Sequence, residues 1–215
     1  MRLGRDVGDK MELKEALLEL RKLEKKKFEQ SIDLIVNLKG IDVKKDNISA
    51  IIKIPKKIKD KKVCGFLTKK SNLIKSITLP DFPKYKDKKE LKELVKEFDF
   101  FIAAAQLMPS VATTFGKILG PAGKMPSPQL GVIMKEDDSN IEQVLKNIEN
   151  SVKIRVKEPS IKIAVGKENM KDEDIISNVN ALYEGIVNIL PTKKENVKNI
   201  MLKLTMSKPI KVEIK

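Results

Sequence analysis

The feature that most limits what this chain can fold into is a double change of period. Residues up to about 58 read as one amphipathic helix and two strands. Residues from about 157 onward again read as strands around one helix. The part between alternates short apolar strands with helices. A helix with two strands buries too little apolar surface to stand alone. The flanks are therefore expected to fold together as one discontinuous domain, with the middle as an insert. The competing arrangement is two or three consecutive domains.

The elements are legible one by one. In "DKMELKEALLELRKLEKKKF" (9–28) apolar residues at 13, 16, 17, 20 and 23 lie on one helical stripe. Asp9 is placed to cap it, with Glu12 three residues on, and Lys25, Lys26 and Lys27 suit its C-terminal dipole. Alternation from residue 32 within 28–42 predicts a strand, and "ISAIIKIP" (48–55) predicts another, ended by Pro55. Past the lysine-dense "PKKIKDKK" (55–62), "VCGFLT" (63–68) and "DFFIAAA" (99–105) have the unbroken apolarity of covered parallel strands. Helices are expected over 88–98, over 111–120 ending at Gly120, and over 140–152 with Ser139 as cap. "SIKIAVG" (160–166) is a strand, 171–190 a helix with acids in its first turn, and 199–206 with 210–215 a closing hairpin.

The fold class expected is α/β. A first domain, residues 1–58 plus 157–215, carries an antiparallel sheet and two helices (an α+β split domain). An inserted three-layer, Rossmann-like domain with a parallel sheet spans 63–153. Hinges fall near 59–62 and 154–156.

Several chemistries are excluded. One cysteine, Cys64, makes no internal disulfide, and without any histidine it makes no zinc site and lacks the usual base of a thiol enzyme. "GKILGPAGKMPSP" (116–128) lacks the phosphate-loop spacing and follows a helix instead of a strand; no G-x-G-x-x-G occurs. Asp137 and Asp138 read as a solvated loop. No catalytic residue, metal ligand or cofactor is assigned. No apolar run is long enough to cross a bilayer, and no hydrophobic signal region opens the chain, so a cytoplasmic protein is expected.

What remains is binding. The net charge is +14, from 44 Lys and Arg against 30 Asp and Glu, which favours an anionic partner, nucleic acid before membrane. An ion-pair-rich surface is the alternative source of that charge. With two Tyr, seven Phe and no Trp, stacking of single strands is disfavoured, and contact to a structured backbone fits better. In "KFEQSID" (27–33), alternation puts Glu29, Ser31 and Asp33 on one face and Phe28, Gln30 and Ile32 on the other. Ser31 and Asp33 can accept hydrogen bonds from ribose 2′-hydroxyls, and Lys27 can meet a phosphate. Phe28 is either the first core residue of the strand or a contact to a sugar or base. "TMSKP" (205–209) offers the Thr205 hydroxyl, the flexible Met206 and the Lys208 charge, or is simply a turn.

The strings "KKKFEQSIDLIVNLKGID" (25–42), "GKILGPAGKMPSPQLG" (116–131), "IAVGK" (163–167) and "TMSKP" occur in an order that resembles the ribosomal L-one family. The likeness runs through nearly all of the chain, and "KEFDFFIAAAQLMP" (96–109) is similar to its archaeal branch. The resemblance implies a split first domain holding most of the RNA contact, an α/β second domain and a hinge. It implies a non-enzymatic protein of the large ribosomal subunit, a monomer off the ribosome. The partners it implies are large-subunit rRNA at the mobile stalk, exit-site tRNA whose release the stalk assists, and the protein's own mRNA leader as a repressor target. By motif match, Lys27, Phe28, Ser31, Asp33, Thr205, Met206 and Ser207 lie in the RNA contact, with Lys157 and Lys167 supporting it. The family usually has Thr at the position of Ser31 and Gly at that of Ser207, where Gly admits closer approach of the backbone.

Overall fold

The computed structural model describes residues 11–23, 26–42, 48–86, 88–156 and 158–214. Its first elements are β1 (Met11–Glu12), α1 (Leu13–Arg21), β2 (Ser31–Leu38) and β3 (Ser49–Lys53). Then come β4 (Val63–Phe66), β5 (Lys75–Ile77), α2 (Lys88–Glu97), β6 (Phe100–Ala104), α3 (Met108–Ala122), β7 (Val132–Ile133) and α4 (Asp138–Glu149). The chain closes with β8 (Ser151–Arg155), β9 (Ser160–Lys167), α5 (Asp172–Ile189), β10 (Val197–Leu204) and β11 (Ile210–Glu213). The class is α/β. Two compact units form: Met1–Ile58 with Ser151–Lys215, and Lys59–Asn150.

The split unit is built on a five-stranded sheet in the order β1-β11-β10-β2-β9, antiparallel except for the β1–β11 edge. Leu34, Val36, Leu202 and Val165 point to one face, where Leu17 and Leu20 of α1 and Val179, Leu182 and Ile186 of α5 cover them. The strict alternation of burial along β2 leaves Asp33, Ile35 and Asn37 half-buried on the opposite face. Beside them on β10 stand Lys203, Met201 and Asn199, each directly across from its β2 partner. Asn37 donates from Nδ2 to Asn199 Oδ1 at 2.7 Å. A two-stranded ribbon, β3 with β8, packs Ile52 and Ile154 into the same core.

The inserted unit holds a wholly parallel sheet in the order β5-β4-β6-β7. Leu91 and Leu94 of α2 and Val111, Phe115 and Leu119 of α3 share a core with Cys64, Phe66 and Phe101. Ile141 and Ile148 of α4 share another with Val63, Ile102 and Ile133. Both faces of this sheet are thus covered, as parallel strands require. The Cys64 thiol is fully buried, and that burial pushes its pKa up to about 12, which leaves it inert.

Several sequence expectations change. Met11 and Glu12, read as helix, pair with Val212 and Glu213 as an edge strand. Asp9 lies outside the described residues; Glu12 holds the cap position of α1 and makes no side-chain cap bond. The helix expected to end at Gly120 runs on through Pro121 to Ala122, and Gly123 in the left-handed conformation stops it. Asp137, not Ser139, holds the cap position of α4. The second crossing, read at 154–156, falls between Asn150 and Ser151, because residues 151–155 are a strand of the split unit.

Candidate nucleic-acid interface

The start of β2 and the turn between β10 and β11 lie together, although 174 positions separate Ser31 from Thr205. Antiparallel pairing of β2 with β10 runs out to Ile32 and Leu204, so the next residue of each strand meets at the sheet's end. There the Thr205 N–H donates to the Ser31 carbonyl at 3.1 Å. The Ser31 N–H donates to Thr205 Oγ1 at 3.1 Å, and that hydroxyl in turn donates to the Ser31 carbonyl at 3.3 Å. The Thr205 side chain is thereby fixed in place. The Ser31 hydroxyl has no partner among the described residues, so it keeps both its donor and its acceptor capacity.

Phe28 is 51% exposed and Met206 is 67% exposed. This settles one open choice: Phe28 is not the first core residue of the strand. Two large apolar side chains stand in solvent beside the Ser31–Thr205 junction, and Lys27 is exposed next to Phe28. Asp33 lies one step along the open sheet face, directly across from Lys203. Burial raises the pKa of its carboxyl group, and the Lys203 ammonium partly opposes that shift. Among the described residues this carboxylate accepts no hydrogen bond, so its acceptor capacity is open.

Ser207 turns inward. Its hydroxyl accepts from the Leu204 N–H at 2.8 Å and lies 3.3 Å from the Leu204 carbonyl. Its backbone is outside the left-handed region.

A second segment walls the site. The loop from Lys167 to Lys171, between β9 and α5, is fastened on two sides. Lys167 Nζ meets Glu29 Oε2 at 2.8 Å, and Asn169 Nδ2 donates to Glu29 Oε1 at 2.8 Å. The Glu168 N–H donates to the Gln30 carbonyl at 2.9 Å. Arg21, at the end of α1, spreads its guanidinium over the Glu168 carbonyl at 2.9 Å, the Met170 carbonyl at 2.6 Å and the Asp172 carboxylate at 2.7 Å. Lys167, expected to support the RNA contact, is therefore engaged with a carboxylate. Lys157 lies outside the described residues.

Sequence reasoning missed Gln30. It is 3% exposed, and its Oε1 accepts from the Met206 N–H at 3.2 Å. Its place among the inward residues of "KFEQSID" was legible. A long polar side chain there, where an apolar one is expected, was the available signal.

The glycine- and proline-rich block serves the inserted unit's own packing. Lys124 donates to the Val95 and Phe98 carbonyls at 2.6 and 2.7 Å, closing the end of α2. A Cβ on Gly131 would stand 3.0 Å from the Phe101 carbonyl oxygen, so backbone passes where a side chain does not fit. Among the described residues no group of His, Cys, Asp and Glu is arranged to hold a metal ion, and no helix is long and apolar enough to cross a membrane.

The sequence profile of the ribosomal protein L1p/L10e family matches residues 20–208. The chain is 31% identical to the large ribosomal subunit protein uL1 of Pyrobaculum calidifontis over 93% of its own length and 94% of the relative's. It is 31% identical to that of Thermococcus kodakarensis, covering 95% and 98%. It is likewise 31% identical to that of Nanoarchaeum equitans, covering 89% and 95%.

Proposed function

This chain belongs to the ribosomal protein L1p/L10e family, and from that premise we propose that it is an rRNA-binding, non-enzymatic constituent of the large ribosomal subunit. The observation that carries the RNA reading is the Ser31–Thr205 junction. Two segments remote in sequence are pinned edge to edge, with Phe28 and Met206 in solvent and the Asp33 carboxylate and Ser31 hydroxyl unbonded beside them. Such a site offers what a folded RNA backbone needs: acceptors for 2′-hydroxyls, a flat apolar contact for sugars, and cations at Lys27 and Lys208 for phosphates. Recognition is by shape more than by base sequence.

The RNA in this reading is the mobile stalk of the large-subunit rRNA, and the protein acts on the cytoplasmic ribosome. The inserted unit, joined through the lysine-rich 59–62 crossing, moves with the stalk and assists release of deacylated tRNA. Off the ribosome the protein is a monomer and binds its own mRNA leader through the same surface as a repressor.

Competition filter binding at fixed salt tests this. Stalk RNA is the labelled ligand; the message leader and an unrelated duplex of equal length compete. The stalk fragment is expected to outcompete the duplex by about a hundredfold, which is about 2.7 kcal/mol. The logarithm of affinity is expected to fall against that of salt with a slope of about −0.7 to −0.9 per phosphate contact. Feedback repression requires the leader to bind more weakly than the rRNA. A duplex that competes equally defeats the whole reading and reduces the surface to a polyanion binder.

A further inference from the structure

Gln30 is a buried amide that uses only one of the four hydrogen-bonding positions of its side chain. The Met206 N–H is a donor, so the group that meets it must be the carbonyl oxygen; this fixes which way the amide faces. The nitrogen, on the same carbon, then points away from that bond. Among the described residues it has no partner. Yet no fully buried side-chain nitrogen or oxygen among them lacks one. The Gln30 nitrogen is therefore not fully buried, and the 3% of the residue still exposed includes it. It surfaces beside the backbone of Met206, within the cluster of Phe28, Ser31 and Thr205. An amide N–H pair left open in so enclosed a position costs free energy unless something accepts from it.

We infer that Gln30 is a further RNA-binding residue: its oxygen sets the Met206 backbone, and its N–H donates to an oxygen acceptor of the bound RNA, a 2′-hydroxyl or a phosphate. This rests on the RNA-binding reading of the same site and adds an uncharged amide donor to a surface that already holds the Asp33 carboxylate, the Ser31 hydroxyl and the Lys27 and Lys208 cations. It also explains why a glutamine stands on the inward-facing side of β2's entry. One amide braces the turn on one side and completes the binding surface on the other.

Two variants separate these roles. Gln30→Met has similar volume but neither accepts nor donates. Gln30→Glu keeps an acceptor for the Met206 N–H and loses the donor. Burial disfavours the charged form of a carboxyl group, so lowering the pH favours the protonated acid, which regains a donating O–H. Binding of the stalk RNA fragment is measured for wild type and both variants at about pH 7.5 and about pH 5, with the Met206 amide resonance reporting the turn. Gln30→Met is expected to bind about tenfold more weakly. Gln30→Glu is expected to bind about a hundredfold more weakly at the higher pH, where its charge also faces phosphate, and to return to within about threefold of wild type at the lower. Wild-type affinity in both variants at the higher pH overturns the inference. So does a weakened Gln30→Glu that shows no recovery at the lower pH while its Met206 resonance is unshifted. If wild type itself does not prefer the stalk RNA to a duplex, it is the RNA-binding reading that fails.

Discussion

The two units spend their sheets in opposite ways. In the split unit the sheet is mostly antiparallel, both of its long helices lie against one face, and Asp33, Ile35, Asn37, Met201 and Lys203 stay half-buried on the other. In the inserted unit the sheet is parallel, with α2 and α3 on one face and α4 on the other. A parallel strand needs a crossover to return, and crossovers cover faces. Among its described residues that unit therefore has no open sheet face to offer a partner, while the split unit has an open face with a pinned rim. Two lysines of the inserted unit serve its own packing. Lys61 and Lys124 of the inserted unit are turned onto the ends of α4 and α2, donating at 2.7 Å to the Ile148 carbonyl and 2.6 Å to the Val95 carbonyl. A net charge of +14 does not distribute itself as a uniform binding surface.

The strongest way to break this comparison is to damage one unit and assay the other. Phe115 is fully buried, with ring centroids 4.7 Å from Phe66 and 5.0 Å from Phe82. Phe115→Ala is expected to destabilise the inserted unit by about 3–5 kcal/mol. Urea unfolding should show its transition moving to lower denaturant while that of the split unit holds. Affinity for the stalk RNA should stay within about threefold of wild type, since truncating a core ring touches none of the proposed contacts. A loss of affinity in step with the loss of stability would mean that the inserted unit carries binding, and the division drawn above would be wrong.

The difference between the units also explains what could be read in advance. Helix α5 and strands β2 and β9 were legible because each repeats one period over enough residues, and β4 and β6 because each is an unbroken apolar run. The discontinuous domain was inferable because neither flank has apolar surface for a core. The short elements were not legible: β1 and β7 have two residues each and β5 three, and pairing geometry alone makes them strands. β8 alternates over five residues whose apolar members are Val152 and Ile154, too short a run to separate from a connector. Within the site, Ser31, Asp33 and Thr205 were named from alternation and motif. Their meeting was not visible, because a register between strands so far apart in sequence is fixed by the whole sheet. The exposure of Phe28 and the inward turn of Ser207 were likewise settled only by packing.

A smaller effect tests the packing role of Lys61. Burial pulls the Lys61 ammonium down to about 8, against the opposing pull of the Asp99 carboxylate. Its unfolded value is the ordinary 10.5. Below about 8 both states hold the proton, and the folded unit bears the full cost of keeping the charge out of water. Between about 8 and 10.5 the unfolded chain binds more protons than the folded one, so stability rises with pH. Above 10.5 neither is charged and the cost is gone. The inserted unit is therefore expected to gain stability from about pH 8 to about pH 10.5 relative to its Lys61→Met variant. Thermal unfolding across that window, as the difference between the two proteins, is the measurement. Parallel curves would mean that Lys61 is as well solvated when folded as when unfolded.

The smallest expected effect concerns the turn itself. Ser207 stands where the resemblance implies Gly, yet its backbone does not occupy the region that favours glycine. Its hydroxyl closes the turn on the Leu204 N–H at 2.8 Å. Two terms oppose each other in Ser207→Gly. Removing the hydroxyl and loosening the backbone costs on the order of 1 kcal/mol of turn stability. Removing the Cβ clears space for RNA to approach. Because the side chain is already folded back onto β10, the second term is expected to be slight, and affinity for the stalk fragment should change by less than about threefold, with Tm falling by a few degrees at most. A tenfold gain in affinity would show that the serine holds the RNA off the turn. The open rim of the split unit would then be a surface that the sequence has partly closed.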